Sequence, residues 1–196
     1  MNLDMLSMPI FETPRLRLRP MTEDDAAMVV RWRNAHHVAS MNRETMQGNL
    51  SIETHLDWFA RTRSSRVDYI IETRDEHRSI GSLSLIWQAL VDCDLCAELG
   101  KYIGDQQASG KGYAYEAAHR WLEYAFGILG LECVFARTRR INTANIRINE
   151  KLGFLLEPLP IQFGPASDEW IFMRMNRTAW LQQRSNQGNA LKLGPQ

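Results

Sequence analysis

The chain has 196 residues, with 23 basic and 23 acidic side chains that give a formal net charge of zero. At about 150 residues per domain, this length fits one compact domain better than two. Hydrophobic residues make up 44% and charged residues 23% of the chain, which excludes disordered, collagen-like and supercharged proteins. Because the charges balance, there is no global positive field for nonspecific nucleic-acid binding, and we expect no nucleic-acid partner.

Location and redox chemistry are indicated by what the sequence does not contain. No apolar run approaches the roughly 18 to 20 residues that span a bilayer, and residues 1–14 lack a secretory signal pattern. We therefore expect a cytoplasmic protein with no membrane partner. The cysteines are Cys93, Cys96 and Cys133, an odd number that argues against a disulfide scaffold. Since Cys93 and Cys96 have no second pair to complete a zinc site, we expect no metal and ordinary strand cysteines.

Hydrophobic periodicity predicts two helices and four strands in the first half of the chain. The alternating residues 11–19 indicate a strand, and Thr22 is a typical N-cap for a helix that ends at Asn34. A polar stretch over residues 36–50 leads to Ser51, the predicted N-cap of the second helix. Three successive strands follow, at residues 67–73, 79–87 and 95–103.

The second half alternates between helices and strands. The clearest helix starts after residues 110–112 and ends at Gly130. A strand is predicted next over residues 131–138, followed by a helix over 142–152. A further extended piece starts at Gly153, and a last strand covers residues 169–175. A helical turn over 179–184 precedes a tail, 186–196, whose composition predicts disorder, so the expected domain is 1–185.

This order of elements predicts the α/β class, with a mixed central sheet of about six to seven strands flanked by helices on both faces. The early strands are antiparallel, and two strand-to-helix crossovers come late. Ligands in such sheets bind where strands splay or the connection direction switches. The loop over residues 104–112 is expected at such a place.

Residues 105–114, DQQASGKGYA, connect a predicted strand to the best predicted helix. Glycines allow close backbone approach, and a helix N-terminus offers unpaired N–H groups to a pyrophosphate. On spacing alone, Gly-x-Gly is equally typical of a plain strand-to-helix turn. A Walker loop and a Rossmann fingerprint are both absent from the sequence.

The loop also carries the pattern Gln/Arg-x-x-Gly-x-Gly/Ala, matched by Gln107, Gly110 and Gly112. In this the chain resembles the GNAT superfamily of N-acetyltransferases. The segments ETPRLRLRP, AELGKYIGDQQASGKGYAYEAAHRWLEYAF and NTANIRINEKLGF look like its Rim-like branch, the ribosomal-protein alanine N-acetyltransferases. Together they run in the right order from residue 12 to about residue 155.

The resemblance implies that acetyl-CoA is the cosubstrate. It places the pyrophosphate on the loop and the pantetheine arm on the strand backbone of Tyr102 and Ile103. Asn142 matches an asparagine that contacts the cofactor, and Asn145 stands where the branch more often has serine. The cofactor-binding loop residues are then Gln107, Gly110, Lys111, Gly112, Tyr113 and Ala114.

Acetyl transfer to an amine needs a group that removes a proton, because a primary amine is largely protonated at neutral pH. Glu98 matches a glutamate that is common in this branch and is the best-placed carboxylate. The alternatives are that Glu98 is exposed on the sheet or paired with an arginine. Many family members have a tyrosine acid where this chain has Asn149, which leaves protonation of the leaving thiolate to another group, such as Tyr102, Tyr113 or a water.

The first two helices are expected to select the acceptor. Their Trp-Arg-Asn and His-Leu-x-Trp segments resemble acetyltransferases that act on nucleotide-linked amino sugars. Aromatic rings can stack on a base or sugar, and arginine binds phosphate, although the same aromatics suit a core equally well. A protein N-terminus is the alternative acceptor. The alternative from another functional class is a noncatalytic regulator that binds acyl-CoA. We expect the protein to be a monomer or a homodimer. The candidate acceptor residues are Trp32, Arg33, Asn34, His55 and Trp58.

Overall fold

The computed structural model describes residues 8–41, 50–165 and 168–192. Within these ranges, eight strands form one sheet in the order β1-β2-β3-β4-β5-β6-β8-β7. The strands are β1 Phe11–Glu12, β2 Leu16–Pro20, β3 Arg66–Thr73, β4 Ser79–Trp87, β5 Cys96–Ile103, β6 Cys133–Arg139, β7 Leu155–Glu157 and β8 Trp170–Asn176. The helices are α1 Ala26–Asn34, α2 His36–Ala39, α3 Ile52–Thr62, α4 Tyr113–Glu123, α5 Thr143–Leu152 and α6 Arg177–Lys192.

The predicted mixed sheet flanked by helices is confirmed. In the described sheet, β5 and β6 pair in parallel and the other neighbouring strands pair antiparallel. Successive residues of β3 point to opposite faces: Tyr69 and Ile71 belong to one core and Ile70 to another. The larger core packs under α4 and includes Trp121, whereas the smaller one packs under α1 and α3 and includes Trp32.

Eight strands, rather than six to seven, follow from two short edge strands. The predicted strand over 11–19 is divided at Thr13–Arg15, and its first part folds back so that Phe11 pairs with Leu18. Pro14 lies in this turn, where its missing N–H costs no ladder hydrogen bond. At the other edge, β7 lies in the extended piece predicted to start at Gly153 and pairs with β8 over three residues.

Two helical segments also differ from the sequence prediction. The stretch predicted as polar and irregular contains α2, and its residues 42–49 lie outside the described ranges. The C-terminal helix α6, Arg177–Lys192, is longer than the helical turn predicted over 179–184, and the disorder of residues 186–196 stays a prediction. Trp180 anchors the start of α6 against Phe126, and the following residues are mostly types that tolerate a helix.

The cysteines are not ordinary strand residues. Cys96 and Cys133 lie opposite each other at the first pair of the β5–β6 ladder and form a disulfide, contrary to the expectation from their number. The sulfur of Cys93 lies within 4.8 Å of both. Sequence spacing could not show this, because 37 residues separate the bonded pair and only the parallel register brings them together.

Candidate active site

The central feature of the site is an opening between β5 and β6. The two strands pair only from Cys96–Glu98 to Cys133–Phe135. Beyond that point β5 stays paired with β4 as far as Ile103, and β6 stays paired with β8 as far as Arg139. The edges of β5 and β6 that face each other therefore separate, while the opposite edges stay bonded to β4 and β8. Backbone N–H and C=O groups on the separated edges are then available to bind an extended ligand. We call this opening, bounded by residues 99–103 and 136–139, the β5–β6 wedge.

The glycine loop follows β5 directly and forms the start of α4. A short helical turn, Gln106–Ala108, is capped by the Asp105 carboxylate, which accepts a hydrogen bond from the N–H of Gln107 at 2.9 Å. Gly110 and Gly112 then adopt φ values of 75° and 82°, a left-handed conformation that favours glycine. A Cβ on Gly110 would meet nothing within 4 Å, so a ligand can approach the backbone there.

Arg15 fixes this loop to the N-terminal strands. Its guanidinium donates to the Glu116 carboxylate at 2.6 Å and to the Lys111 carbonyl oxygen at 3.0 Å, and it lies over the Tyr113 ring. The loop backbone is thus held in place while its outer surface stays open. The predicted loop residues Gln107 to Ala114 run from the short helical turn into the first two residues of the eleven-residue α4, and the N-terminus of this helix suits a diphosphate.

Asn142 and Asn145 lie at the N-terminus of α5, beside the strand that forms the other side of the wedge. The Asn142 carboxamide oxygen caps α5 by accepting from the N–H of Asn145 at 3.2 Å. The Asn145 side chain donates to the Thr138 hydroxyl on β6 at 3.0 Å. These bonds attach α5 to β6, so both asparagines shape the wedge whether or not they also contact a ligand.

Glu98 is the last residue of β5 that pairs with β6, and it is buried, with 5% of its surface exposed. Arg137 donates to both of its carboxylate oxygens, at 2.6 and 3.2 Å. The paired arrangement, one of the alternatives left open by the sequence, is therefore present. The Arg137 guanidinium also lies 3.9 Å from the centre of the Phe163 ring.

Trp32 and Tyr102 form the floor between the sheet and the first helices. Trp32 is 5% exposed, and a Cβ on Gly104 would lie 2.2 Å from its ring. The rings of Trp32 and Tyr102 meet edge to face at 6.3 Å. Burial raises the pKa of the Tyr102 phenol, which keeps it protonated. In this structure Trp32 is a core residue.

His55, Trp58 and Arg33 are brought together above this floor. His55 stacks on Trp58 at 5.4 Å, and the guanidinium groups of Arg33 and Arg66 lie 5.2 and 4.5 Å from the same indole ring. Burial, reinforced by Arg33, lowers the pKa of His55 and favours its neutral form. Its Nδ1 is buried and has no hydrogen-bond partner among the described residues. We call Arg33, His55, Trp58 and Arg66 the acceptor wall, after the acceptor-binding role that is proposed for them.

Asn34 lies apart from that cluster. Its carboxamide donates to the Leu50 carbonyl oxygen and accepts from the Leu50 N–H, both at 2.9 Å. This two-bond clamp holds the chain that enters α3. The structure therefore gives Asn34 a contact that positions the acceptor wall.

The structure also brings into the wedge a residue that the sequence did not single out. The Lys101 ammonium donates to the Asn149 carboxamide at 2.5 Å, and burial lowers the pKa of Lys101 to about 7. The sequence feature that could have pointed to this residue is a lysine within a strand that leads directly to a glycine loop. Its importance was not evident, because nothing in the sequence shows that α5 packs over this position.

An open wedge between two parallel strands, with a glycine loop at its mouth, defines the acyl-CoA-dependent acetyltransferase class of fold. The acetyltransferase (GNAT) domain family matches residues 15–155, and the chain belongs to this family. It is an acetyltransferase.

Similar proteins agree with this assignment. The uncharacterized N-acetyltransferase p20 of Bacillus licheniformis is 26% identical over 152 residues, which cover 75% of this chain and 83% of p20. The spermidine N-acetyltransferase of Vibrio cholerae, solved with CoA and spermine, has a TM-score of 0.71 at 20% identity, covering 86% and 99% of the two chains. A GNAT-family acetyltransferase of Bacillus anthracis has a TM-score of 0.69 at 20% identity, covering 87% and 99%. These two structures show the same fold.

Proposed function

We propose that this protein, acting through one domain over residues 1–185, transfers the acetyl group of acetyl-CoA to a primary amine on a small molecule that also carries negative charge. The observation that carries this proposal is the β5–β6 wedge with the glycine loop at its mouth. The wedge offers backbone groups to the pantetheine amides at Tyr102 and Ile103, and the loop offers N–H groups to the pyrophosphate. When bound, acetyl-CoA supplies the activated acetyl thioester.

The charge of the acceptor wall supports an anionic acceptor. Arg33 and Arg66 lie over Trp58, and Asp68, which is bonded to Arg66 at 2.7 Å, is the acidic partner there. Among the described residues, the two guanidinium groups and the one carboxylate that meet at Trp58 sum to a positive charge, which attracts phosphate and repels a polycation. The Vibrio cholerae enzyme acts on spermidine, whereas this wall favours an amino-sugar nucleotide with its diphosphate.

Glu98 is the proposed proton acceptor, acting on the amine directly or through a water. It lies where the wedge begins to open, and the Arg137 guanidinium fixes its orientation. Because Arg137 donates to both carboxylate oxygens, the carboxylate is held in one orientation where the wedge begins to open. Glu98 therefore suits the role of accepting the proton of the bound amine, and its contribution falls as the neutral fraction of the amine rises.

The proposal is tested by incubating the purified protein with acetyl-CoA and a panel of amines, and measuring acetylated products by mass spectrometry together with free CoA thiol. The panel contains nucleotide-linked amino sugars, the same amino sugars without nucleotide, polyamines, and peptides with N-terminal alanine. Acetylation of the nucleotide-linked sugars, with competition by free UDP, supports the proposal. Acetylation of the alanine peptides alone would replace it with a protein N-terminal function, and CoA binding without any amine product would favour a noncatalytic regulator.

A further inference from the structure

Lys101 has its amine inside the β5–β6 wedge. Its backbone lies in the part of β5 that has already separated from β6, and its cross-strand neighbour on β4 is Leu83. Its side chain therefore points to the face of the sheet that carries α4 and α5. There its Nζ donates to Oδ1 of Asn149 at 2.5 Å.

The Lys101 amine lies on the face of the sheet that carries the larger core, where Asn149 is its hydrogen-bond partner. Asn149 is fully buried and its own N–H₂ group lies 3.8 Å from the sulfur of Met173. Desolvation favours the uncharged amine and lowers the pKa of Lys101 to about 7. Near neutral pH the group can therefore both hold and release a proton. The other side chains of this face that form the same core include Leu83, Leu99, Ala136 and Leu152.

The ionisable groups on the helices packed against this face have other contacts. On α4, Glu116 bonds to Thr13 and Arg15, while Glu123 bonds to Arg120 and Arg184. His119 of α4 packs on Trp180, and burial lowers its pKa. On α5, Lys151 lies over the Tyr115 ring, and Arg147 and Glu150 are exposed. On the sheet, the Glu98–Arg137 pair lies on the opposite face. The described surroundings thus offer Lys101 no carboxylate that would hold its proton permanently.

We propose that Lys101 is a catalytic acid that protonates the sulfur of CoA as the acetyl group leaves. This role rests on the proposed acetyl transfer to an amine. The acceptor nitrogen bonds to the carbonyl carbon, the carbon–sulfur bond breaks, and its electron pair goes to sulfur. Lys101 gives one proton to that sulfur, the acceptor nitrogen loses one proton to Glu98 or water, and solvent restores both groups. The net products are the acetamide and CoA thiol.

The position of Lys101 explains how the chain functions with an amide at Asn149. The Asn149 carboxamide oxygen accepts a hydrogen bond from the Lys101 ammonium and so fixes its position, but an amide cannot itself act as an acid. Tyr102 is a poorer candidate, because it points to the other face and burial raises its pKa. An ammonium with a pKa near 7 is matched to proton donation at neutral pH.

The kinetic test compares Lys101→Met and Lys101→Arg with wild type, with Lys151→Met as the matched control because Lys151 lies on the outer side of α5. Loss of a positioned acid should lower kcat of Lys101→Met by about 10²- to 10⁴-fold, while the Kd of acetyl-CoA changes little. The wild-type kcat should fall as pH rises through about 7, since the ammonium is lost. That falling limb should be absent in Lys101→Met, and in Lys101→Arg it should move to higher pH with partial recovery of rate.

A second readout does not depend on turnover. Addition of CoA should shift the titration midpoint of Lys101, because the proposal places the sulfur against its ammonium. NMR titration of the lysine side chains should show one midpoint near 7 that disappears in Lys101→Met and persists in Lys151→Met. Wild-type kcat and pH profile in Lys101→Met would overturn the role of Lys101. If wild type acetylates no amine, the proposed function fails, and a Lys101 midpoint that does not move on addition of CoA would then independently overturn the role of Lys101.

Discussion

Glu98 and Arg137 face each other across β5 and β6 at the point where the two parallel strands separate, with a shortest contact of 2.6 Å. Both side chains are largely buried, at 7% and 14% exposure. One ion pair therefore lies at the vertex of the β5–β6 wedge, on the face that also carries Tyr102. A pair in this position can fix the angle of the wedge and also take part in proton transfer.

The first prediction separates these two roles. Glu98→Gln should keep the fold and the acetyl-CoA affinity but lower turnover by about 10²- to 10⁴-fold, the usual contribution of a positioned base. The defect should shrink as pH rises, because a larger fraction of the acceptor amine is then neutral. Steady-state kinetics over a range of pH, with calorimetry for acetyl-CoA, measure both quantities.

The matched variant is Arg137→Met, which removes the cation but keeps the Glu98 carboxylate. Because the carboxylate remains but is no longer held at both oxygens, turnover should fall less in Arg137→Met than in Glu98→Gln. Wild-type kinetics in Glu98→Gln at neutral pH would remove Glu98 from the mechanism. An equal loss of stability in both variants, with turnover unchanged in both, would leave the pair with a structural role only.

The second prediction concerns the glycine loop. Gly112→Val should weaken acetyl-CoA binding at least about tenfold, because a side chain at φ 82° strains the turn and blocks the backbone at the start of α4. Isothermal titration calorimetry measures the Kd. Gly130→Val is the control, since Gly130 has a similar φ of 68° but lies beyond the far end of α4. A folded Gly112→Val protein with wild-type affinity would contradict the placement.

The third prediction concerns the acceptor wall. Arg33→Ala should raise the KM for a nucleotide-linked amino sugar by about 10- to 100-fold, as expected for loss of a charged hydrogen bond worth about 1.5 to 3 kcal/mol. The Kd of acetyl-CoA should not change. Arg61→Ala is the control, because Arg61 is an exposed arginine of α3 that bonds to the Asp57 carbonyl oxygen. An unchanged KM in Arg33→Ala would exclude Arg33 from acceptor binding.

The fourth prediction concerns pH and stability. Burial opposes ionisation of Asp25, but hydrogen bonds from Arg19 and from the Thr22 N–H outweigh it and lower the pKa of Asp25. A carboxyl group with a lowered folded-state pKa stabilises the fold above its unfolded pKa, and this contribution is lost as pH falls through the folded value. Asp25→Asn should therefore reduce the free energy of unfolding by about 1 to 3 kcal/mol at neutral pH.

The difference between Asp25→Asn and wild type should narrow as the pH falls below about 4, the ordinary pKa of an aspartate, and through the lower pKa of the folded state. Urea unfolding at several pH values provides the measurement. Asp24→Asn serves as the control, because Asp24 is exposed in the same turn. A gap that stays constant from neutral to acidic pH would show that the charge of Asp25 is not what stabilises this turn.

Local patterns in the sequence determined most of the elements and the class of protein. Periodicity of two predicted the main strands, periodicity of 3.6 predicted α1, α3 and α4, and the pattern at Gln107, Gly110 and Gly112 indicated the loop at which a pyrophosphate would bind. These features are visible because strand alternation, helix faces and left-handed glycines each depend on residues that are close together in the chain.

Only the tertiary structure decided which distant residues meet. The Glu98–Arg137 pair, the Cys96–Cys133 disulfide and the Lys101–Asn149 hydrogen bond join residues 37 to 48 positions apart. Each contact depends on the parallel register of β5 and β6 or on the packing of α5 over the wedge, and neither leaves a local pattern in the sequence. The sequence could not decide the role of Trp32 either, because the pattern of an amphipathic helix is the same for an aromatic residue that binds a ligand and for one that packs into the core. In the structure Trp32 packs into the core.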